Sequence, residues 1–391
     1  MKIAIVSDYY YPQLGGVTEH VHGQATELAR RGHEVTVVTP GLIKVPRTAD
    51  AAILPPETFE VVRLGRAWPI YVNRAEALLS WSPRLGAQLD KLYAERQFDV
   101  VHVHNPIGPF LAYMAIRRSI APVTVGTLHS VVPPGYLLLR AFHKFLATIL
   151  GRLDACITVS DTVVDSLGPS FPGQEFVTIP NGIDASFFSP DAEPLPDLAG
   201  RRTILFVGRF DPRNGVSHAI GAFKLLKPKH PDLRLVIVGD GPLRPIVERL
   251  VPDSLRDDVV FAGRVNRLRP RYLASADVLC SPCSLASFGM VVLEGMSAGV
   301  PVVATRLPGF AGVMRDGIDG LMVDRPDDEA GFAVALDAVL SDPALGQRMG
   351  EAGRTRALEH FAWSVVVDQL EELYDDIARQ RAAGSVVRAA A

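Results

Sequence analysis

Residues 2–39 read KIAIVSDYYYPQLGGVTEHVHGQATELARRGHEVTVVT. Within them, Lys2–Ser7 and Glu34–Thr39 are short apolar runs that predict β-strands, and Thr18–Arg31 has the spacing of an amphipathic helix. The run Val35–Val38 is apolar without alternation, which is typical of a strand buried on both faces of a parallel sheet. The chain therefore begins with a βαβ unit of an α/β fold.

The same alternation continues along the chain and restarts once. Further strands are predicted in two series: Phe98–His102, Val123–Leu128, Ala155–Val159 and Phe176–Ile179, then Thr203–Val207, Leu233–Val238, Val259–Ala262, Val278–Ser281 and Val300–Ala304. Predicted helices of the second series are Ser217–Leu226, Leu243–Leu250 and Met290–Ala298. Between the two series, the Pro- and Asp-rich stretch Ser189–Gly200 has no periodicity and is predicted to be the interdomain linker.

At roughly 150 residues per domain, the length of 391 residues indicates two or three domains, and the single restart of the pattern favours two. We expect a first domain over residues 1–184 and a second over 185–362, both Rossmann-like with parallel sheets. A last helix from Trp363 has an apolar stripe at helical spacing, so residues from about 363 to 391 are predicted to pack back on the first domain.

Composition excludes several classes of protein. The 40 Lys and Arg against 43 Asp and Glu leave a formal charge of -3, which gives no field for a nucleic-acid backbone. No apolar run reaches the roughly 18 residues of a transmembrane helix, and Ile3–Val6 is too short for a signal-peptide core. Three cysteines suit a reducing cytoplasm, and Cys280 and Cys283 are expected to be small strand-end residues without a metal.

Ligands of such sheets bind at the carboxyl ends of the strands, so the loops there are the candidate site. After the first strand, Gly15 and Gly16 open a helix whose N–H groups and dipole suit an anion. The strand Val123–Leu128 delivers His129 to the same edge. Alone, the Gly15–Gly16 turn is as compatible with a structural role as with a functional one, and an isolated histidine is more often structural.

The second series has cations and a helix N-terminus at equivalent places. Arg209 and Arg213 follow Thr203–Val207 and could clamp a diphosphate. Gly289–Val291 open a helix with free N–H groups, and Glu294 lies one turn further in. Because its neighbours are apolar, Glu294 is expected to need a polar partner such as a ligand hydroxyl.

Known catalytic signatures are missing from the sequence. It contains no Walker A motif, no HExxH and no Gly-x-Ser-x-Gly, and its paired aspartates fall in turns or late helices. We therefore expect a diphosphate site that needs no metal and no other cofactor.

Taken together, these residues resemble glycosyltransferase family 4, the retaining enzymes of the GT-B fold, over nearly the whole chain. The matching segments are the loop at Gly15–Val17, Asp99–His104, Thr127–His129, Pro180–Asp184, Gly208–Arg209, Val238–Pro242 and Ser287–Glu294. The resemblance implies a transferase with two Rossmann-like domains that face each other across a cleft, and a nucleotide sugar as donor.

The resemblance also implies roles for individual residues. His129, Arg209 and Glu294 would be catalytic, contacting the transferred sugar, the diphosphate and the ribose. Donor binding would involve Gly15, Gly16, Arg209, Arg213, Asn214, Gly239, Asp240, Val265, Phe288, Gly289, Met290, Val291 and Glu294. Acceptor binding would involve Tyr9, His104, Asn105 and Thr127. Amides at Gly289–Val291 would stabilise the leaving group.

Within the family, Gly65–Asn73 and the Arg209 loop are most similar to bacterial lipid mannosyltransferases. That similarity implies GDP-mannose and a lipid or glycan acceptor in glycolipid biosynthesis, in the cytoplasm or at the inner membrane face. The apolar stretch Tyr136–Leu153, with three basic residues, could lie on an anionic bilayer or could equally be a core helix. The loop Ser130–Pro134 has no lysine for an acceptor phosphate, so phosphatidylinositol itself is not expected.

The sequence departs from the family at two positions. Asn214 stands before Gly215 where the family usually has Lys, and Ala286 stands where it has a Glu with seven residues between it and the helix Glu. An active transferase of a mannose- or glucose-type hexose with altered donor contacts is the first reading. The alternative is a nucleotide-sugar-binding pseudoenzyme or regulatory subunit, and a GT-B epimerase ranks third because extra acidic residues at strand ends are lacking.

Overall fold

The computed structural model describes residues 1–13, 15–42, 56–72, 75–108, 110–132 and 137–384. Its contacts divide the chain into two compact units. The first contains the described residues up to Gly182 and those from Trp363, and the second contains Ile183–Ala362. The sequence placed the first junction after Asp184 and the second at about 363. Asn73, Tyr136, Pro133–Pro134 and residues 385–391, on which parts of the sequence predictions fall, lie outside the described residues.

The first unit contains an eight-stranded sheet in the order β4-β3-β2-β1-β5-β6-β7-β8. Its strands are β1 (Lys2–Val6), β2 (Glu34–Leu42), β3 (Glu60–Val72), β4 (Ala75–Trp81), β5 (Val100–His104), β6 (Val123–Leu128), β7 (Ala155–Thr158) and β8 (Phe176–Thr178). Every neighbouring pair is parallel except β3 and β4, which are antiparallel.

Helices cover this sheet on both faces, because the side chains of each strand alternate between two cores. Ile3 and Ile5 of β1 belong to one core, and Ala4 and Val6 to the other. The helices are α1 (Gly16–Arg30), α2 (Leu85–Arg96), α3 (Leu111–Arg118), α4 (Leu137–Leu150), α5 (Asp161–Leu167) and, from the end of the chain, α13 (Trp363–Ala382).

Helix α13 packs in the core that α1 and the Ile3 face of β1 form, as the sequence predicted. Trp363, Leu370 and Tyr374 are buried there with Val21 and Leu28 of α1. The apolar stripe of the last helix is therefore buried against the first domain.

The second unit has a six-stranded, wholly parallel sheet in the order β11-β10-β9-β12-β13-β14. Its strands are β9 (Thr203–Val207), β10 (Arg234–Val238), β11 (Val259–Gly263), β12 (Val278–Ser281), β13 (Val302–Thr305) and β14 (Gly320–Val323). Its helices are α6 (Val216–Leu226), α7 (Arg244–Arg249), α8 (Arg269–Ala274), α9 (Met290–Ser297), α10 (Pro308–Ala311), α11 (Glu329–Ser341) and α12 (Pro343–Phe361).

The predicted class, two Rossmann-like domains with parallel sheets, is confirmed. Three details differ from the expectation. The antiparallel pair β3–β4 and strand β14 were not predicted, and Ser189–Gly200 is not a free linker. The guanidinium of Arg234 donates to the carbonyl oxygens of Leu198 and Ala199, at 2.8 and 3.2 Å, and holds the segment on the second unit. The segment is held by hydrogen bonds from a distant strand, and such bonds leave no periodic pattern in its own sequence.

Candidate functional site

The sheet order of each unit identifies where ligands bind in folds of this type. In the first unit the order reverses direction between β1 and β5, and in the second between β9 and β12. Helices of consecutive crossovers leave opposite faces at such a point, so a crevice opens at the carboxyl ends of the two strands. The predicted site residues lie at the ends of β5 and β6, follow β1, β5, β6, β9, β10 and β11, or precede or lie in α9.

In the first unit, Gly15 and Gly16 form the N-terminus of α1. Both glycines are exposed, and no described side chain caps the helix at Gly15. The first helical hydrogen bond runs from the N–H of Glu19 to the Gly15 carbonyl oxygen, at 3.1 Å. The N–H groups of the first turn are therefore without a partner inside the helix, which is the condition for binding an anion.

His104 and His129 contact each other directly at the carboxyl edge of the sheet. His104 ends β5, His129 follows β6, and His104 Nδ1 lies 2.8 Å from His129 Nε2. Burial lowers the pKa of His129 to about 4, against the smaller opposing effect of a hydrogen bond with Asn181. Both imidazoles are therefore neutral at pH 7, since burial and the neighbouring histidines also hold the pKa of His104 far below its usual value.

Two further histidines that the sequence reasoning missed, His20 and His102, lie beside this pair. The ring of His20, on α1, lies 5.3 Å from that of His104 and 4.8 Å from that of His129. His102 stacks on His104 at 4.6 Å with an interplanar angle of 8°. The position of His102 could have been found from the strand period of two, which places His102 and His104 on one face of the sheet. Nothing in the local sequence indicates that His20 turns inward.

His102 is held by hydrogen bonds at both ring nitrogens. Its Nδ1 lies 2.6 Å from the hydroxyl of Tyr374 and 2.9 Å from the amide nitrogen of Gln24. Its Nε2 lies 2.6 Å from Thr127 Oγ1. The last helix is thus connected by polar contacts to the strands that carry His104 and Thr127.

The predicted acceptor residues lie at the carboxyl ends of three neighbouring strands, β1, β5 and β6. The N–H of Asn105 donates to the carbonyl oxygen of Thr127 at 2.8 Å, and Asn105 has a φ of 54° in the left-handed region. Tyr9 is half-buried, and its N–H donates to Ser7 Oγ at 3.1 Å. The hydroxyl of Thr127 has an internal partner in His102, while His104 is buried against His129.

Asp8 is a further buried acid at this edge that sequence reasoning did not select. It follows β1, is 5% exposed, and its Oδ1 accepts a hydrogen bond from Ser80 Oγ at 2.6 Å. Burial raises the pKa of Asp8 to about 7, although the Ser80 hydrogen bond acts in the opposite direction. The carboxyl group therefore changes charge near neutral pH.

In the second unit, the loop after β9 presents two arginines around Asp211. Arg213 donates through Nε and Nη2 to the two oxygens of Asp211, at 3.1 and 2.9 Å. Arg209 Nη2 is 3.6 Å from Asp211, and 52% of its side chain is exposed. Burial alone would raise the pKa of Asp211, but the hydrogen bonds of Arg213 outweigh it and lower that pKa. Arg209 is accordingly the more available cation.

Asn214, which stands where the family usually has Lys, supports this loop. Its Nδ2 donates to the carbonyl oxygen of Arg209 at 2.9 Å. The amide thus fixes the backbone of the residue that carries the exposed guanidinium.

The loops after β10 and β11 lie beside the Arg209 loop, because β9, β10 and β11 are consecutive neighbours in the sheet. The N–H of Gly239 donates to the carbonyl oxygen of Gly263 at 2.8 Å, and the Asp240 carbonyl oxygen accepts from the N–H of Phe210 at 3.0 Å. Val265, two residues after β11, is half-buried. These contacts bring Gly239, Asp240 and the Arg209 loop together, as the sequence reasoning required of a common site.

Helix α9 begins beside these loops with Gly289 as its N-cap. Gly289 has a φ of 109°, and a Cβ there would lie 2.5 Å from Cδ1 of Phe310, so only glycine fits. Phe288 is buried, whereas Met290 and Val291 are half-buried, and no described side chain caps the helix. The amides of the first turn are therefore available to an anion.

Glu294 is buried as predicted, and it has a partner within the protein that the sequence reasoning did not identify. Its Oε1 accepts a hydrogen bond from Arg269 Nη1 at 2.7 Å, and the two side chains are 2% and 13% exposed. A cation on α8, 25 residues away, therefore neutralises the buried carboxylate, and no ligand is needed for that purpose. The predicted ribose contact stays a prediction.

Among the described residues, one group has the composition of a metal site. Each of His20, His104 and His129 offers a nitrogen, and the three atoms lie within 4.8 Å of one another.

Cys280 and Cys283 are buried free thiols, as the sequence predicted for small strand-end residues.

Comparisons with known proteins agree with this geometry. Residues 14–187 match the family model "Glycosyltransferase Family 4", and residues 192–356 match "Glycosyl transferases group 1". The phosphatidyl-myo-inositol mannosyltransferase of Mycolicibacterium smegmatis is 34% identical over 97% of this chain and 94% of its own length. A glycogen synthase of Mycobacterium tuberculosis is 30% identical over 96% of this chain and 94% of its own.

Solved structures show the same fold. Anabaena HepE in complex with UDP superposes with a TM-score of 0.74 at 18% identity, covering 96% of this chain and all of that chain (100%). Sucrose-phosphate synthase from Thermosynechococcus elongatus gives 0.72 at 22% identity, covering 98% and 100%. These likenesses support the GT-B fold of two Rossmann-like domains.

The chain belongs to glycosyltransferase family 4. It is an enzyme that transfers a hexose, and its curated relatives include mannosyltransferases. Among the helices of the described ranges, none combines the length and the apolar character that a bilayer span requires.

Proposed function

We propose that this enzyme moves a mannose- or glucose-type hexose, first of all mannose from GDP-mannose, to a hydroxyl of a lipid or glycan. The anomeric configuration is retained, and no metal ion or other cofactor is required. The mannosyltransferase relatives support the choice of sugar. The observation that carries the donor class is an exposed Arg209 after β9 and an uncapped N-terminus of α9 after the neighbouring strand β12, because both groups suit a diphosphate.

The charge arrangement supports a reaction without a metal. A leaving diphosphate gains negative charge in the transition state, and Arg209, Arg213 and the amides at Gly289–Val291 can stabilise it by fixed positive charge and dipoles. Asp211 orients Arg213 through two hydrogen bonds, so the cation is positioned before the donor arrives. In the first unit, His129 would contact the transferred sugar and Gly16 the donor phosphate.

Donor binding is the first experiment. Thermal-shift measurements with GDP, UDP, ADP and their sugars should find stabilisation by a guanosine donor, followed by slow hydrolysis of that donor. Arg209→Ala removes charge-assisted hydrogen bonds of about 1.5–3 kcal/mol, which predicts roughly 10- to 150-fold weaker binding. Arg249→Ala, at an exposed position at the end of α7, removes the same charge without this effect.

Each outcome separates the candidate functions. Stabilisation and turnover that are both lost in Arg209→Ala support the transferase. Stabilisation without turnover of any sugar nucleotide, even with lipid and glycan acceptors present, would favour the nucleotide-sugar-binding pseudoenzyme that Asn214 and Ala286 suggest. An absence of stabilisation by every nucleotide would refute the donor site.

We also propose peripheral contact with an anionic membrane at the cytoplasmic face, through α4. Phe142 and Phe145 are 54% and 48% exposed, and Lys144 between them is exposed as well. Ile149 and Leu150 at the end of the helix are buried and attach it to the first unit. An exposed aromatic pair with a basic residue is suited to the interface of an acidic bilayer.

Vesicle sedimentation tests this contact. The protein should sediment with phosphatidylglycerol vesicles and much less with phosphatidylcholine vesicles, and Phe142→Ser with Phe145→Ser should abolish the difference. Ile120→Ser removes an exposed apolar side chain elsewhere in the first unit and is the control. Equal sedimentation of the double variant and the unaltered protein would contradict the proposal.

A further inference from the structure

The histidine cluster of the first unit has the donor atoms of a transition-metal site. His20 projects from the second turn of α1, His104 ends β5 and His129 follows β6, so three separate elements supply one imidazole each. The residues are 4%, 1% and 8% exposed. Their ring centroids are 5.3, 4.8 and 5.1 Å apart in the three pairs, so each ring is next to the other two.

Two of the nitrogens lack any partner among the described residues. His20 Nδ1 and His104 Nε2 are buried and make no hydrogen bond. A buried polar atom in this state is uncommon, because water no longer compensates the missing hydrogen bond. Two such atoms in one three-residue cluster indicate a ligand that accepts a nitrogen lone pair rather than ordinary core packing.

The protonation state of the cluster favours a cation. A metal binds the neutral imidazole, and competing protons weaken it. Burial lowers the pKa of all three rings, and neighbouring histidines lower the pKa of His20 and His104 further. No proton therefore has to leave the cluster at pH 7 before a cation enters.

The geometry requires a modest closure. Zinc–nitrogen bonds of about 2.1 Å place the ligand atoms of a tetrahedral site roughly 3.4 Å apart. Here one nitrogen of each ring lies within 4.8 Å of one nitrogen of each of the other two rings. Small rotations of the rings bring three ligands to one centre.

We propose that His20, His104 and His129 form a binding site for one borderline-soft divalent cation, with Zn²⁺ as the first candidate, and that the bound cation inhibits hexose transfer. Three imidazoles are a donor set that suits Zn²⁺, Cu²⁺ and Ni²⁺, and they discriminate against Mg²⁺ and Ca²⁺. A fourth position remains for water. The inhibitory half rests on the proposed contact of His129 with the transferred sugar, because the cation would occupy a nitrogen of that ring.

Calorimetric titration of chelator-treated protein with zinc chloride tests the site without any donor present. One Zn²⁺ per chain should bind with a dissociation constant in the micromolar range or below, and Co²⁺ should give the visible absorption of a four-coordinate nitrogen site. His20→Gln and His104→Gln should each weaken binding at least about tenfold, as loss of one of three ligands requires. Magnesium chloride should give no heat of binding.

His102→Gln is the matched control, since His102 is equally buried and stacks on His104 but lies outside the cluster. It should keep the stoichiometry and affinity for Zn²⁺. Circular dichroism and tryptophan fluorescence of each variant establish that it is folded. If no Zn²⁺ binds, or if binding survives both His20→Gln and His104→Gln, the site is refuted.

Inhibition is measured separately. Zn²⁺ at saturating concentration should abolish donor turnover, and a chelator should restore it. Zinc binding that leaves turnover unchanged would refute the inhibitory half. Failure of the transferase proposal would show as absent turnover in metal-free buffer, which is independent of the calorimetric result.

Discussion

Replacing Asp8 by Asn should make the stability of the first unit less dependent on pH. The carboxyl group of Asp8 is 5% exposed, and its pKa is raised from 3.8 to about 7 by burial. A shift of about three units, at roughly 1.4 kcal/mol each, corresponds to about 4 kcal/mol of unfolding free energy. Asn cannot ionise, and its side-chain oxygen can still accept the hydrogen bond of Ser80.

The sign follows from proton binding. Below pH 3.8 the carboxyl group is protonated in both states, and between about 4 and 7 the unfolded chain loses the proton that the folded chain keeps. The free energy of unfolding therefore falls as pH rises through this window and levels off above pH 7. Relative to the unaltered protein, Asp8→Asn should gain up to about 4 kcal/mol between pH 4 and pH 8.

Tryptophan fluorescence measures the first unit alone, because Trp68, Trp81 and Trp363 all belong to it. Urea titrations at pH 4.5 and 8 give the stability difference between variant and unaltered protein at each pH. Asp165→Asn removes an exposed carboxylate of the same unit and controls for the loss of charge. A difference for Asp8→Asn that is constant across this range would refute the reasoning.

Three further substitutions test packing and polar contacts. Gly215→Ala places a Cβ 1.9 Å from a proline carbonyl oxygen at a φ of 71°, whereas the Cβ of Gly200→Ala, at a φ of 77°, meets no atom within 4 Å. Calorimetry should find the first variant at least about 2 kcal/mol less stable than the second. Equal melting temperatures of the two variants would contradict the clash. Tyr374→Phe removes the hydroxyl that lies 2.6 Å from His102 Nδ1 and should lower the free energy of unfolding by about 1–3 kcal/mol. Urea titrations followed by tryptophan fluorescence measure this loss, and an unchanged midpoint would argue against that contact. Glu294→Gln removes the negative charge of the ion pair with Arg269 and should destabilise the second unit by about 3–5 kcal/mol. A thermal midpoint equal to that of the unaltered protein would mean that the ion pair is not stabilising.

The fold was predictable where its signals are local. The βαβ unit of residues 2–39 and strands such as Thr203–Val207 are apolar runs separated by helical periodicity, and the structure has them at nearly these bounds. The pair β3–β4 was missed because one of its strands runs antiparallel and extends beyond the doubly wound pattern. The sequence of Ser189–Gly200 has no periodicity and therefore predicts a linker. Its stabilising contacts come from side chains far along the chain, such as Arg234, and leave no local signal.

The candidate site was predictable only in part, for a similar reason. His129 and Arg209 follow strands, and the edge rule for parallel sheets locates them from sequence alone. The partner of Glu294 is Arg269 on another helix, and no spacing rule connects two residues of different elements. His20 enters the cluster through the rotation of α1 about its axis, which the packing of α1 against α13 and β2 decides.

The most direct test of the proposed reaction is time-resolved proton NMR of donor hydrolysis in the presence of a chelator. With GDP-α-mannose as donor, a retaining enzyme releases α-mannose first, and the β anomer appears later by mutarotation. We predict that order for the unaltered protein, with no signal for Arg209→Ala. Initial release of β-mannose, or turnover only after a divalent metal is added, would contradict a metal-independent, retaining hexosyl transfer.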